Sequence, residues 1–232
     1  MTFLIASITP VIIFLYLIYN KDSIKEPVKL LAKCFFGGFL SIIVTLIIDG
    51  IIQITIPEPS SALGSSLYKA FLIAGLPEEF SKFIILYWLV WKSKDFDQHF
   101  DGIIYAVFVS MGFALVENIM YVSNYGLITA IWRGVLSVPG HGFFAVIMGY
   151  YFSLARFHNR NDVNKLLLLS LLMPALFHGL FDFTLFYASK NEDNPLFSVI
   201  LMIGFTLTVI KLWQIGLQRI KQHHLKDGEH LL

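Results

Sequence analysis

"LYKAFLIAGLPEEFSKFIILYWLVW", residues 67–91, is long enough to cross a bilayer yet carries two adjacent glutamates and a lysine near its middle. A spanning helix needs about 20 mostly apolar residues. A charge held at mid-bilayer costs at least ~2.5–3.5 kcal/mol on insertion scales, so such a group marks a functional candidate by default. Glu78, Glu79 and Lys82 therefore raise two questions at once: what kind of protein surrounds them, and what they do there.

The surroundings are membrane-like throughout. Of the 232 residues, 56% are hydrophobic and only 14% charged, with a mean hydropathy of +0.71. A soluble domain would carry about 25% charge. Seven segments read as spans, at 3–20, 31–56, 67–91, 102–124, 138–156, 166–188 and 196–217. The fold class is an all-α polytopic membrane protein, read as one domain over 1–232 with a catalytic core at 67–188. An interfacial or re-entrant helix is expected near 125–137, which would make eight, because "SVPGHG" should break so long an apolar run. The N-terminus lacks the leading positive charge and small-residue cleavage site of a signal peptide, and is expected to be a retained span. A net charge of +1 gives no basis for a nucleic-acid partner. The single cysteine, Cys34, has no partner within the chain for a disulfide.

Orientation follows from the side that collects Lys and Arg. One set of alternate links and tail holds Lys21, Lys25, Lys29, Lys33, Lys92, Lys94, Arg156, Arg160, Lys165, Arg219, Lys221 and Lys226; the other holds only Lys69, Arg133 and Lys190. This predicts an outside N-terminus and a cytoplasmic C-terminus in the cell membrane.

With that topology, intramembrane polar groups can be compared by depth at about 1.5 Å per helical residue. Glu78 and Glu79 lie ~17 Å from the outer end of their span, Glu117 ~11 Å, His178 ~15 Å, Asp182 ~9 Å and Asp49 ~11 Å, with His141 near the outer start of its own. Residues from five spans thus share one layer in the outer half of the bilayer. Asp49 is the weakest of them and is favoured as structural.

Spacing adds detail. Lys82 is four residues from Glu78 and three from Glu79, so it can neutralise one carboxylate. Successive residues on a helix diverge by about 100°, so the two glutamates cannot share one job. His178 and Asp182 share a face as a ligand and its orienting partner would. Carboxylates with two histidines suit a divalent metal, zinc being the usual choice. There is no HExxH, and metal-free activation of water by a glutamate and a histidine fits nearly as well.

Four motifs resemble those of the PrsW family of bacterial intramembrane proteases: "PEEFSKF" (77–83), "GFALVEN" (112–118), "PGHGFF" (139–144) and "FHGLFDF" (177–183). The wider superfamily includes the type II CAAX prenyl endopeptidases, the bacteriocin-immunity-type proteases and the APH subunit of gamma-secretase. The CAAX enzymes have a histidine where this chain has Glu117, so their role at that position does not carry over. The resemblance implies cleavage of a single-span membrane protein, such as an anti-sigma factor, near its extracytoplasmic end. It implies Glu78 as general base with Glu79 as its partner or a ligand. Glu117, His141 and His178 become the metal ligands, with Lys82, Asn118 and Asp182 supporting them. Two alternatives compete: an ion- or proton-coupled transporter using the same carboxylates as a relay, and a catalytically silent APH-like scaffold.

Overall fold

The computed structural model describes residues 2–22, 24–157 and 160–190, and beyond them 196, 199–200, 202–207, 210–211, 214 and 218. The regular structure among them is helical: α1 (Thr2–Lys21), α2 (Val28–Thr55), α3 (Ala62–Leu67), α4 (Leu76–Val90), α5 (His99–Tyr125), α6 (Leu127–Trp132), α7 (Val138–Phe157) and α8 (Val163–Lys190). Five described stretches are long and apolar enough to span: Leu4–Lys21, Val28–Thr55, His99–Tyr125, Leu127–Phe157 and Val163–Lys190. The span expected at 67–91 is present as α3 and α4 joined through π-helical Tyr68–Gly75. The span expected at 196–217 falls partly outside the described residues, and those described there are helical.

The centre of the bundle is α5 with α6–α7. Their most apolar windows are 67% and 61% buried, against 17% for α1 and 28% for α2 and α8. The peripheral helices turn Ile12, Ile43, Ile54 and Leu168 outward. Lipid tails solvate such side chains as well as a protein core does.

One expectation fails in a useful way. A helix does form at Leu127–Trp132, but "SVPGHG" does not break it from the next; the chain stays helical from Leu127 to Phe157. The link is a π-helical turn, Arg133–Ser137, in which the Val138 amide bonds the Arg133 carbonyl five residues back. The same device occurs at Tyr68–Gly75, where the Leu76 amide bonds the Phe71 carbonyl. In both cases the next residue is proline, Pro77 or Pro139. Proline lacks an amide, and its ring crowds the carbonyl four residues back. A wider turn moves that carbonyl aside and absorbs the missing bond, so the helix continues with its register shifted. Such turns occur often at functional sites.

Two close approaches set the spacing around these turns. A Cβ on Gly75 would meet the Gly179 amide nitrogen at 2.8 Å and the Ala175 carbonyl at 2.9 Å, so α8 touches the chain just before Glu78. A Cβ on Gly38 would strike the backbone of Val109 and Phe113, which brings α2 against α5. On the loop after α2, Glu58 gathers Lys69 at 3.3 Å and Lys190 at 3.8 Å and accepts a hydrogen bond from Ser65. The Ser65 hydroxyl first, and the two ammonium groups after it, hold the Glu58 carboxyl below the usual range. This clamp therefore contributes at neutral pH and is lost as pH falls through that lowered value.

Gly75→Leu is expected to cost ~1–3 kcal/mol or more by overpacking, read as a lower unfolding temperature in detergent. Gly50→Ala, where a Cβ meets nothing within 4 Å, is expected not to lower that temperature, and to raise it slightly because alanine is the better helix former.

Candidate active site

The π-turn and proline at the start of α4 aim its first turn into the bundle. Glu79 and Lys82 are 0% and 1% exposed, and Glu78 is 8% exposed. Lys82 does more than the single neutralisation its spacing suggests. Its Nζ donates to Glu79 Oε1 at 2.8 Å and to Glu78 Oε2 at 3.2 Å, lies 3.2 Å from His141 Nδ1, and sits 4.0 Å from the Phe113 ring centroid.

His178, on α8, is fixed on several sides. Its Nδ1 is 2.9 Å from Glu79 Oε1, and its Nε2 is 3.4 Å from Asp182 Oδ2 and 3.9 Å from Glu78 Oε2. Its ring stacks on Phe144 with centroids 4.7 Å apart. His141 enters from α7 with its ring centroid 5.3 Å from that of His178 and its Nε2 2.8 Å from Glu117 Oε2. The α7 backbone is tied to α5 where Ser110 Oγ donates to the His141 carbonyl at 3.0 Å.

Glu78, Glu79, His141 and His178 each offer one ligand atom, and these four atoms lie within 4.8 Å of one another. Glu79 Oε2 is buried with no hydrogen-bond partner, an arrangement that leaves one oxygen available for a cation. Charge points the same way. Four carboxylates (Glu78, Glu79, Glu117, Asp182) meet two cations (Lys82, Arg133), so with neutral imidazoles the centre is two positive charges short. A divalent metal supplies that difference, as would two protonated imidazoles.

The structure brings together the expected Glu78, Glu79, Lys82, Glu117, His141, His178 and Asp182, but Glu117 stands outside the four-atom group. Its Oε2 lies 2.6 Å from Arg133 Nη2, a charge contact without hydrogen-bond alignment. Arg133 Nε donates to Asn118 Oδ1 at 2.8 Å, and its guanidinium covers the Tyr121 ring at 4.1 Å. Asn118 in turn reaches the Ser7 carbonyl on α1 at 3.4 Å. Arg133 is the residue that sequence reasoning missed, having entered only as a charge on the sparse side. Its place in the third turn before His141 is a signal that could have found it.

Two adjoining clefts reach this centre and share Ala74, Glu78, Glu117, Tyr121 and Phe186. One, about 440 Å³, is largely apolar, walled by Trp132, Leu136, Phe144, Phe181 and Leu185. The other, about 430 Å³, runs between α2 and α5 past Thr45, Asp49 and Gln53 to Glu58 and Lys69.

The fold and the centre define a multi-pass membrane protein with a buried carboxylate–imidazole site reached from two sides. The chain belongs to the PrsW family: a family model described as PrsW family intramembrane metalloprotease matches residues 26–209, and it is an intramembrane protease. The chain is 38% identical over 228 residues to Protease PrsW of Clostridioides difficile, covering 95% of this chain and 90% of that one. It is 35% identical to Protease PrsW of Oceanobacillus iheyensis, with 96% of each chain covered. It is also 35% identical to that of Bacillus subtilis, with 94% and 93% covered. No solved structure matches.

Lys82→Met is expected to destabilise the protein by ~3–5 kcal/mol, since it leaves two buried carboxylates uncompensated. Adding Glu79→Gln should recover part of that loss, measured by thermal unfolding in detergent.

Proposed function

We propose that this protease is a metallo-endopeptidase that hydrolyses a single-span membrane protein, such as an anti-sigma factor, near the extracytoplasmic side of the membrane. The observation that carries the reading is the placement of Glu78: alone among the four clustered ligand residues it lines both clefts, beside two imidazoles. His141 and His178 with Glu79 would hold the metal, and zinc suits that donor set. When bound, it would supply Lewis-acid activation of water and polarise the scissile carbonyl.

The chain's own residues divide the remaining work. Glu78, less buried than Glu79 and facing both clefts, takes the proton from water and returns it to the leaving amine. Glu79 and Asp182 orient His178, and Phe144 supports its ring. Lys82 offsets the charge of both glutamates. Arg133 holds Glu117 against His141, which fixes the second imidazole. The apolar cleft suits an unwound segment of a membrane-embedded chain, because peptide backbone there would have to find polar partners inside the site.

An outside N-terminus places the site on the extracytoplasmic side. The three cations that run against the charge asymmetry support it: Lys69 and Lys190 sit against Glu58, and Arg133 against Glu117. Each is offset locally.

A metal-free variant of the same hydrolysis has one observation in its favour. The Lys82 ammonium already lies within 3.2 Å of Glu78, Glu79 and His141. Metal content of the detergent-purified protein separates the two: about one divalent ion per chain, lost in His178→Ala, supports the metal form.

Glu78→Gln is expected to lower cleavage of a reconstituted single-span substrate by ~10²–10⁴-fold with little change in unfolding temperature. Full activity in that variant would remove Glu78 from its role.

A further inference from the structure

α2 is an apolar helix with a regular exception. Ser41, Thr45, Asp49 and Gln53 recur at every fourth position, which keeps them close to one face. The first two are satisfied locally: Ser41 Oγ donates to the Gly38 carbonyl at 2.7 Å and Thr45 Oγ1 to the Ser41 carbonyl at 3.1 Å. Asp49 is not. Its Oδ1 is buried with no hydrogen-bond partner, an expensive state for a carboxylate oxygen at membrane depth unless water reaches it.

The cleft beside it provides the space. The α2 residues that line it, Ile42 to Gln53, and the α5 residues Glu117 to Tyr121 lie beyond the contact of Gly38 with Val109 and Phe113 that presses the two helices together. Toward the Glu58 loop α2 contributes Thr45, Asp49 and Gln53, and the same cleft is lined by Glu78 and Glu117 of the centre and by Glu58 and Lys69. Thr45 to Gln53 spans ~12 Å along the helix axis. Among the described residues, the other cleft has mainly aromatic and aliphatic walls, with Ser137 as the polar side chain away from the centre and Arg133.

We propose that the α2–α5 cleft is a water path from the Glu58–Lys69 mouth to Glu78, and that Asp49 is a positioning residue that holds the water chain midway along it. Water and peptide then reach the centre by different routes. Asp49 touches neither reacting atoms nor substrate; it acts by keeping a hydrogen-bonded water next to the one that Glu78 deprotonates. The inference rests on the proteolytic reading only for the use made of the water, since the path itself can be tested without cleavage.

The single native cysteine makes the test direct. In a Cys34→Ala background, Thr45→Cys and Gln53→Cys are introduced into one wall and Leu185→Cys into the other. The full-length protein in proteoliposomes is exposed to a charged, membrane-impermeant thiosulfonate. Thr45→Cys and Gln53→Cys are expected to label at least roughly tenfold faster than Leu185→Cys, and a lipid-soluble maleimide should reverse that order. If Thr45→Cys resists the charged reagent while the protein remains monodisperse with an unchanged unfolding temperature, the water path is wrong. For Asp49 the readout is kinetic. Asp49→Leu should lower kcat between roughly tenfold and a hundredfold at unchanged KM, with Asp49→Asn restoring most of it because an amide still binds water. Loss through KM, or no rescue by Asn, would overturn the positioning role. Labelling as expected in a protein that cuts no tethered peptide would instead count against the proteolytic reading and leave the path standing.

Discussion

Everything in this structure depends on compensating charge where water is scarce. Lys82 is the centre of that compensation: one ammonium, 1% exposed, serves two carboxylates and touches an imidazole. A buried pair of this kind adds little net stability, yet removing one partner is severe. The ion network is therefore better understood as a constraint on arrangement. It obliges α4, α5, α7 and α8 to converge, because Glu117, His141 and His178 complete what Lys82 begins.

Convergence requires departures from regular helix, and these departures share a form. The approaches to Glu78 and His141 each pass through a π-helical turn followed by proline, and His178 lies one turn after Pro174 within α8. Three site-bearing helices thus carry a proline within four residues before the functional side chain. Each loosens the backbone pairing near the site while flanking turns hold direction. The glycine contact between Gly75 and Gly179 then brings α8 to the first turn of α4.

The spans, their polar interruptions and the meeting of Glu78, Glu79, His141 and His178 were legible from composition and spacing, because bilayer thickness and helical rise leave few choices. The i, i+4 relation of His178 and Asp182 was legible for the same reason. Four things were not. The two π-turns escaped notice because proline in an apolar run signals a break when only α-helical pairing is considered. Arg133 escaped because its partner Glu117 is 16 positions earlier on another helix, outside any local spacing rule. Glu117, placed among metal ligands through family resemblance, stands apart from the four-atom group because that arginine engages it. Asp49 reads as structural from sequence alone; its unpaired oxygen and its place in the α2–α5 cleft are products of the assembled bundle, which no spacing rule encodes.

The local nature of the Lys82 pairs has a consequence for biosynthesis. When residues 62–90 leave the ribosome, neither His141 nor His178 has been made, so the tertiary partners of Glu78 and Glu79 do not yet exist. A segment with two bare carboxylates would be a poor candidate for lateral transfer from the translocon into lipid. Because Lys82 lies three and four residues away on the same helix, the nascent segment carries its own counter-charge, and the assembly problem is reduced before the rest of the bundle arrives to finish it. The same spacing that prepares the centre for chemistry also lets it enter the membrane early.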